Sequence, residues 1–193
     1  MTGEFVKCGA AKLVYAGANT YRAPTRVAAG TLAFSSGASL PYSTVSVDEG
    51  ATFALVNSTM EIGGVGVLAG TFSNPGNLVF GGATEPGGKG VVGTTILPCT
   101  SLAFAEGATL NIDVDGQTCD CLEVNGPVDL DNLAIKVSGS NSGSMGPVLR
   151  TKSALTGTAS FSGRPRYLPE VRTSADGWNE VYLQKAGLVL VVQ

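Results

Sequence analysis

One short strand start recurs along this chain, and its spacing narrows the possible folds more than any other feature. Gly30-Thr31-Leu32, Gly50-Ala51-Thr52-Phe53 and Gly70-Thr71-Phe72 begin at positions 30, 50 and 70, two equal steps in succession. A period of that size is one coil of a solenoid, in which no coil buries its apolar side alone and neighbours must stack. The segment TLAFSSGASL from Thr31 agrees with SLAFAEGATL from Ser101 at six of ten positions: Leu32/Leu102, Ala33/Ala103, Phe34/Phe104, Gly37/Gly107, Ala38/Ala108 and Leu40/Leu110. The recurrence therefore reaches the second half of the chain. At about 4.8 Å per coil, roughly nine coils would form a rod.

Within this frame, Leu13 and Tyr15, then Val27, Leu32 and Phe34, read as short alternating strands, with Gly9, Gly17 and Gly30 at the bends. From Thr109 to Val137 the alternation has period two. Leu110, Ile112 and Val114 fall on one face and Asn111, Asp113 and Asp115 on the other, followed by Leu122/Val124, Val128/Leu130 and Leu133/Ile135/Val137. With 27 glycines and only 14% charged residues, helical bundles are disfavoured. The expected class is all-β, a right-handed parallel β-helix with coils of about 20 residues. An antiparallel sandwich or jelly roll shares the short strands and frequent turns and is the alternative.

The stretch KCGAAKLVYAGANTYRAPTRVAAGTL from Lys7 to Leu32 resembles the strand repeat of autotransporter passenger domains. Lys7, Gly9, Leu13, Gly17, Asn19, Thr20, Tyr21, Thr25, Val27, Gly30, Thr31 and Leu32 stand on the pattern, whereas Cys8, Ala11, Tyr15 and Ala23 depart from it. GATLNIDVDGQTCDCLEVNGPVDLDNLAIKV and, later, GPVLRTKSALTGTASF are similar to the region in which many such passengers finish their helix. The resemblance implies a parallel β-helix over roughly residues 5–161 and an exported stalk or adhesive segment at a cell surface.

After Phe161 the composition shifts. SGRPRYLP carries two prolines and two arginines and reads as an irregular connection. WNEVYLQKAGLVLVVQ reads as a hairpin, with Trp178, Val181, Tyr182 and Leu183 on one arm, Leu188 to Val192 on the other, and a turn at Lys185-Ala186-Gly187. The chain thus divides into a repeat domain, 1–161, and a β-rich cap, 162–193, that closes the open end of the solenoid. Alternatively, the run from Gly187 to Val192 pairs with another subunit.

The sequence contains no histidine, which removes Ser-His and Cys-His nucleophile pairs and every His-bearing metal site. Catalysis would fall to carboxylates, Lys and Arg, as in polysaccharide cleavage. The one acidic concentration is Asp113, Asp115, Asp120, Glu123, Asp129 and Asp131, for which solvated strand faces are the simpler account. Calcium held by Asp113, Asp115 and Asp131 is a weaker alternative, because neither an EF-hand loop nor a calcium-binding nonapeptide is present. GGATEPGGKG from Gly81 lacks the phosphate-loop spacing and reads as an exposed turn. No catalytic residue, cofactor or metal is assigned.

Cys99, Cys119 and Cys121 are the disulfide candidates. Cys99 precedes Cys119 by the same step that separates the recurrent strand starts, one coil, so a bridge from Cys99 to Cys119 or Cys121 is expected, leaving Cys8 free or paired with a neighbouring subunit. A buried ladder of reduced thiols is the alternative, and a zinc site of all four thiolates ranks last. Tyr15, Tyr21, Tyr42, Tyr167, Trp178 and Tyr182 are the candidates by type for a glycan-binding face.

Net charge -3 and twelve scattered basic residues give no reason to bind nucleic acid. No run of 18 apolar residues suggests membrane insertion, and the first twenty residues lack a secretion signal, so an exported protein would contain this chain as a piece. The expected function is non-catalytic, a stalk or display segment outside the cell. Its partners would be the rest of a larger surface protein or like subunits, and cell-surface glycans. A self-assembling filament subunit and a module of a polysaccharide-degrading enzyme are the two other classes.

Overall fold

A computed structural model describes residues 3–35, 37–55, 59–73, 76–139, 143–163 and 167–186. The chain is all-β, with parallel sheets stacked as a solenoid of about seven turns. The expected parallel β-helix is the fold observed, and the sandwich alternative fails because almost every ladder is parallel between strands one coil apart.

The longest sheet contains eight strands, starting at Phe5–Lys7 and continuing through Thr25–Val27, Leu40–Val47, Thr59–Leu68, Asn77–Phe80, Ser101–Phe104 and Val128–Asp129 to Leu155–Thr156. Beside its first half runs a four-stranded parallel sheet of Lys12–Tyr15, Thr31–Phe34, Thr52–Leu55 and Thr71–Ser73. The recurrent strand starts lie here in register: Thr31 opposite Thr52 and Thr52 opposite Thr71, with Leu32, Phe53 and Phe72 beside them. Ring contacts follow the stack, Tyr15–Phe34 at 5.6 Å, Phe34–Phe53 at 5.2 Å and Phe53–Phe72 at 4.9 Å. Each fully buried side chain of this size contributes about 1.5–3 kcal/mol, which holds the coils together.

Coil length is not constant. In the first half Thr25 pairs with Val45, whereas further on Thr109 pairs with Ala134 and Leu122 with Leu149, so the stride lengthens along the chain. The change comes where residues 85–93 loop out between the strands Ala83–Thr84 and Thr94–Leu97. From there two further columns form. One runs Ala83–Thr84, Thr109–Asp115, Ala134–Gly139 and Ser160–Phe161; the other runs Thr94–Leu97, Cys121–Val124 and Met145–Thr151. Longer coils explain why fewer of them fit in the chain than the uniform period of the first half predicts.

The alternation read from Thr109 onward is realised. Leu110, Ile112, Leu122, Val124 and Ile135 are each 0% exposed, and Asn111 and Asp113 lie on the outer face.

The cap differs from expectation. A terminal hairpin is present, but its arms are Tyr167–Thr173 and Asn179–Lys185, joined by a turn in which Ser174 N donates to Trp178 O at 2.8 Å. The second arm also pairs antiparallel with Met145–Thr151, reversing the strand direction and ending the parallel stack. Leu188 to Val192, read as an arm from their hydrophobicity, lie outside the described residues, as does Gly187 of the expected turn. Part of the expected connection is strand, since Tyr167 starts the first arm and is 1% exposed.

Candidate functional site

The loop at 85–93 folds back over the column that contains Asn111, Asp113 and Lys136, and between them lies an open groove of about 590 Å³. Its wall is built one residue per coil. Asn111 stands opposite Lys136 in the parallel ladder, Glu85 lies one coil above Asn111 and accepts from its Nδ2 at 3.2 Å, and Ser162 continues the column below Lys136 past the Ile135–Phe161 pair. Asp113, two residues along the strand from Asn111, stands opposite Ser138. Lys89 and Gly90 close the groove from the loop.

Two carboxylates fix the loop to the strand. Asp113 Oδ2 accepts from Gly90 N at 2.5 Å. Asp120 is 0% exposed and accepts from Gly93 N through Oδ1 and from Asp113 N through Oδ2, both at 2.8 Å. Burial drives the Asp120 carboxyl up to about 6; the two N–H donors oppose this, and the nearby charges of Asp113 and Glu85 add to it. Asp120 is positioned by the short antiparallel excursion Thr118–Cys119, which turns back on Val114–Asp115 before the chain enters the next coil.

Lys89 and Lys136 are exposed and make no ion pair among the described residues. Asn111 Oδ1 is buried without a hydrogen-bond partner. The groove thus combines two unpaired cations and two carboxylates on a rigid wall.

The acidic residues singled out from sequence separate. Asp113 lines the groove, Asp120 lies buried beneath the loop it anchors, and Asp115 lines a separate depression with Gly90 and Asp113. Glu123 pairs with Arg150 at 2.7 Å. Asp129 and Asp131 serve a corner of the backbone, accepting from Asp131 N and Thr158 N respectively, each at 3.1 Å. Asp131 does not join Asp113 and Asp115, and among the described residues no group of three or more Cys, Asp or Glu is arranged to hold a metal ion.

All four cysteines are free thiols, and the bridge from Cys99 to Cys119 or Cys121 is not formed. The reason is coil length. Thr94 pairs with Cys121 and Leu97 with Val124, so the longer stride puts Cys99 over Gly126. Cys119 and Cys121 also lie on different strands, Thr118–Cys119 and Cys121–Val124. Burial pushes the Cys99 and Cys121 thiols up to about 12. Cys8 is exposed.

The aromatic candidates do not converge on the groove. Tyr15 stacks on Phe34, Tyr21 shares a 2.6 Å hydrogen bond with Thr25, and Tyr167 meets Phe161 in the cap. Arg22 lies over Tyr42, Arg150 and Lys152 over Trp178, and Arg172 over Tyr182, at 4.2 to 4.9 Å from the ring centres. Glu85, Lys89, Asn111, Lys136 and Ser162 are the groove residues that sequence reasoning passed over. Their spacing reveals them only once the coil length is known.

Compared with protein-family models, with curated proteins and with solved structures, the chain matches none.

Proposed function

We propose that this chain is a non-catalytic β-helical segment of an exported surface protein, a stalk that extends and displays. The observation that carries the reading is the eight-stranded parallel sheet running from Phe5 to Thr156, a rigid axial scaffold on which coils add without a domain break. The resemblance of Lys7 to Leu32 to autotransporter strand repeats supports it.

A second reading, a module acting on polysaccharides, is favoured by one observation: Glu85 and Asp113 share a groove with Lys89 and Lys136. If the groove were catalytic, Asp113→Asn would abolish release of reducing sugar. A filament subunit is the third reading, and the first coil offers it an edge, since Val6, Leu13 and Val14 are 39%, 40% and 54% exposed.

The intact mass of the native polypeptide, taken from the outside of its source cells before and after reduction, tests the proposal. A chain much larger than 19.5 kDa that stays monomeric supports a stalk segment. A species near 19.5 kDa, in assemblies that fall apart on reduction, overturns it in favour of a cysteine-linked filament.

A further inference from the structure

We infer that the groove between residues 85–93 and the Asn111–Lys136 column binds a neutral oligosaccharide laid along the coil axis. The inference rests on the display reading only in taking the groove to hold its ligand rather than cleave it.

Periodicity is the first argument. Glu85, Asn111, Lys136 and Ser162 present one polar side chain per coil, and adjacent strands lie about 4.7–4.9 Å apart. That spacing is close to the length of one pyranose ring, so a row of sugar units meets a row of hydrogen-bonding groups in step. A groove of about 590 Å³ falls within the usual range of ligand sites.

The groups on offer are of both hydrogen-bonding kinds. Glu85 and Asp113 accept, Lys89 and Lys136 donate, and Ser138 and Ser162 do either. Asn111 holds the wall instead, its Nδ2 donating to Glu85 while its Oδ1 is buried behind the surface. A ligand satisfying this set must both donate and accept at short intervals, which hydroxyl groups do. An anionic polymer would meet Glu85 and Asp113, and a polyamine would meet Lys89 and Lys136.

Rigidity is the third. Asp120 holds both Gly93 N and Asp113 N, and Asp113 holds Gly90 N, so the two walls are fixed before a ligand arrives. With no aromatic ring among the lining residues for stacking, the affinity is weak and depends on the polar groups.

The test uses the full chain, labelled with nitrogen-15 and titrated separately with cellohexaose, maltohexaose and chitohexaose. At least one of them is expected to shift amide resonances confined to residues 85–93, 111–113 and 136–138. Lys136→Met and Lys89→Met, both at exposed positions, are each expected to weaken that binding about tenfold, the loss of one hydrogen bond to a charged partner. The proposal is overturned if none of the three sugars moves these resonances, or if both variants bind like the parent chain. Chromatography of the sugar after incubation separates the two readings: intact sugar keeps the segment non-catalytic, whereas shortened sugar overturns that reading and leaves the site standing.

Discussion

Asn132 occupies the left-handed corner one coil below Gly107, with φ of 65° against 85°. The corner recurs. Ala38 N donates to Ser35 O, Ala51 N to Asp48 O, Ala108 N to Ala105 O and Leu133 N to Leu130 O, and in each the third residue is Gly37, Gly50, Gly107 or Asn132 at positive φ. Asn tolerates this conformation where most side chains do not, and here its Nδ2 also donates to Phe104 O at 3.2 Å, tying two coils together.

Asn132→Val is therefore expected to lower unfolding free energy by about 1–3 kcal/mol, since a β-branched side chain is strained at positive φ. Asn132→Gly keeps the backbone and loses only the bond to Phe104, a cost of about 1 kcal/mol or less. Denaturant unfolding of the two variants checks the order; equal losses would show that φ is not what the corner requires.

Lys7 predicts a second effect, confined to the first coils. Its side chain is buried and Nζ donates to Cys8 O, Gly9 O and Ala29 O at 2.7 to 2.9 Å, clamping two successive bends. Beside it, a side chain at Gly30 would collide with the Gly9 carbonyl. Lys7→Met removes all three bonds and is expected to cost about 1–3 kcal/mol locally. Hydrogen exchange should quicken at residues 5–34 and stay unchanged at 121–151. Uniform quickening would sink the idea of a local clamp.

The residues that made the fold legible are those whose chemistry is set by the coil itself. Leu32, Phe53 and Phe72 stack because a solenoid has no other way to bury them, so their recurrence states the architecture directly. The groove was not legible because it depends on where the coil lengthens. Were the stride of the first half continued, Glu85 would align with Ala105, and Cys99 with Cys119. The loop at 85–93 and the hairpin at 113–120 add residues that carry no periodic signal, and they move Asn111 under Glu85 and Cys99 over Gly126. The cap was hidden for a related reason. Gly187 to Val192 is the more apolar stretch, but the arm beside Asn179–Lys185 is Tyr167–Thr173, whose exposed Glu170 and Arg172 conceal a strand.

Thiol chemistry supplies a third expectation. Cys8 is exposed, while Cys99 and Cys121 are buried with thiols pushed up to about 12 and Cys119 is raised by burial and by Asp120. A thiol-reactive dye on the folded, reduced chain should label Cys8 first and leave Cys99 and Cys121 unmodified until denaturant is added. Cys8→Ser should remove the fast phase. Peptide mapping that finds Cys99 or Cys121 modified as fast as Cys8 would contradict the buried positions.

Asp120 gives the fourth, with its sign fixed by burial. Its carboxyl is held at about 6 in the folded chain against 3.8 for a free side chain, so between those values the folded state binds more protons than the unfolded one. Its contribution to stability is therefore greatest below about pH 4 and is lost as pH rises through about 6. Asp48, lowered chiefly by its hydrogen bond to Arg26, works the other way, adding stability above the free carboxylate value that disappears as pH falls. The comparison must isolate Asp120. Asp120→Asn removes the titration while keeping one acceptor for Gly93 N or Asp113 N. The stability of the parent chain minus that of the variant should fall as pH rises from about 4 to about 6 and level off beyond, as read from denaturant midpoints at several pH values. A difference that rises over this interval would mean that the N–H donors of Gly93 and Asp113 outweigh burial, and that Asp120 is held as an anion at the base of the groove.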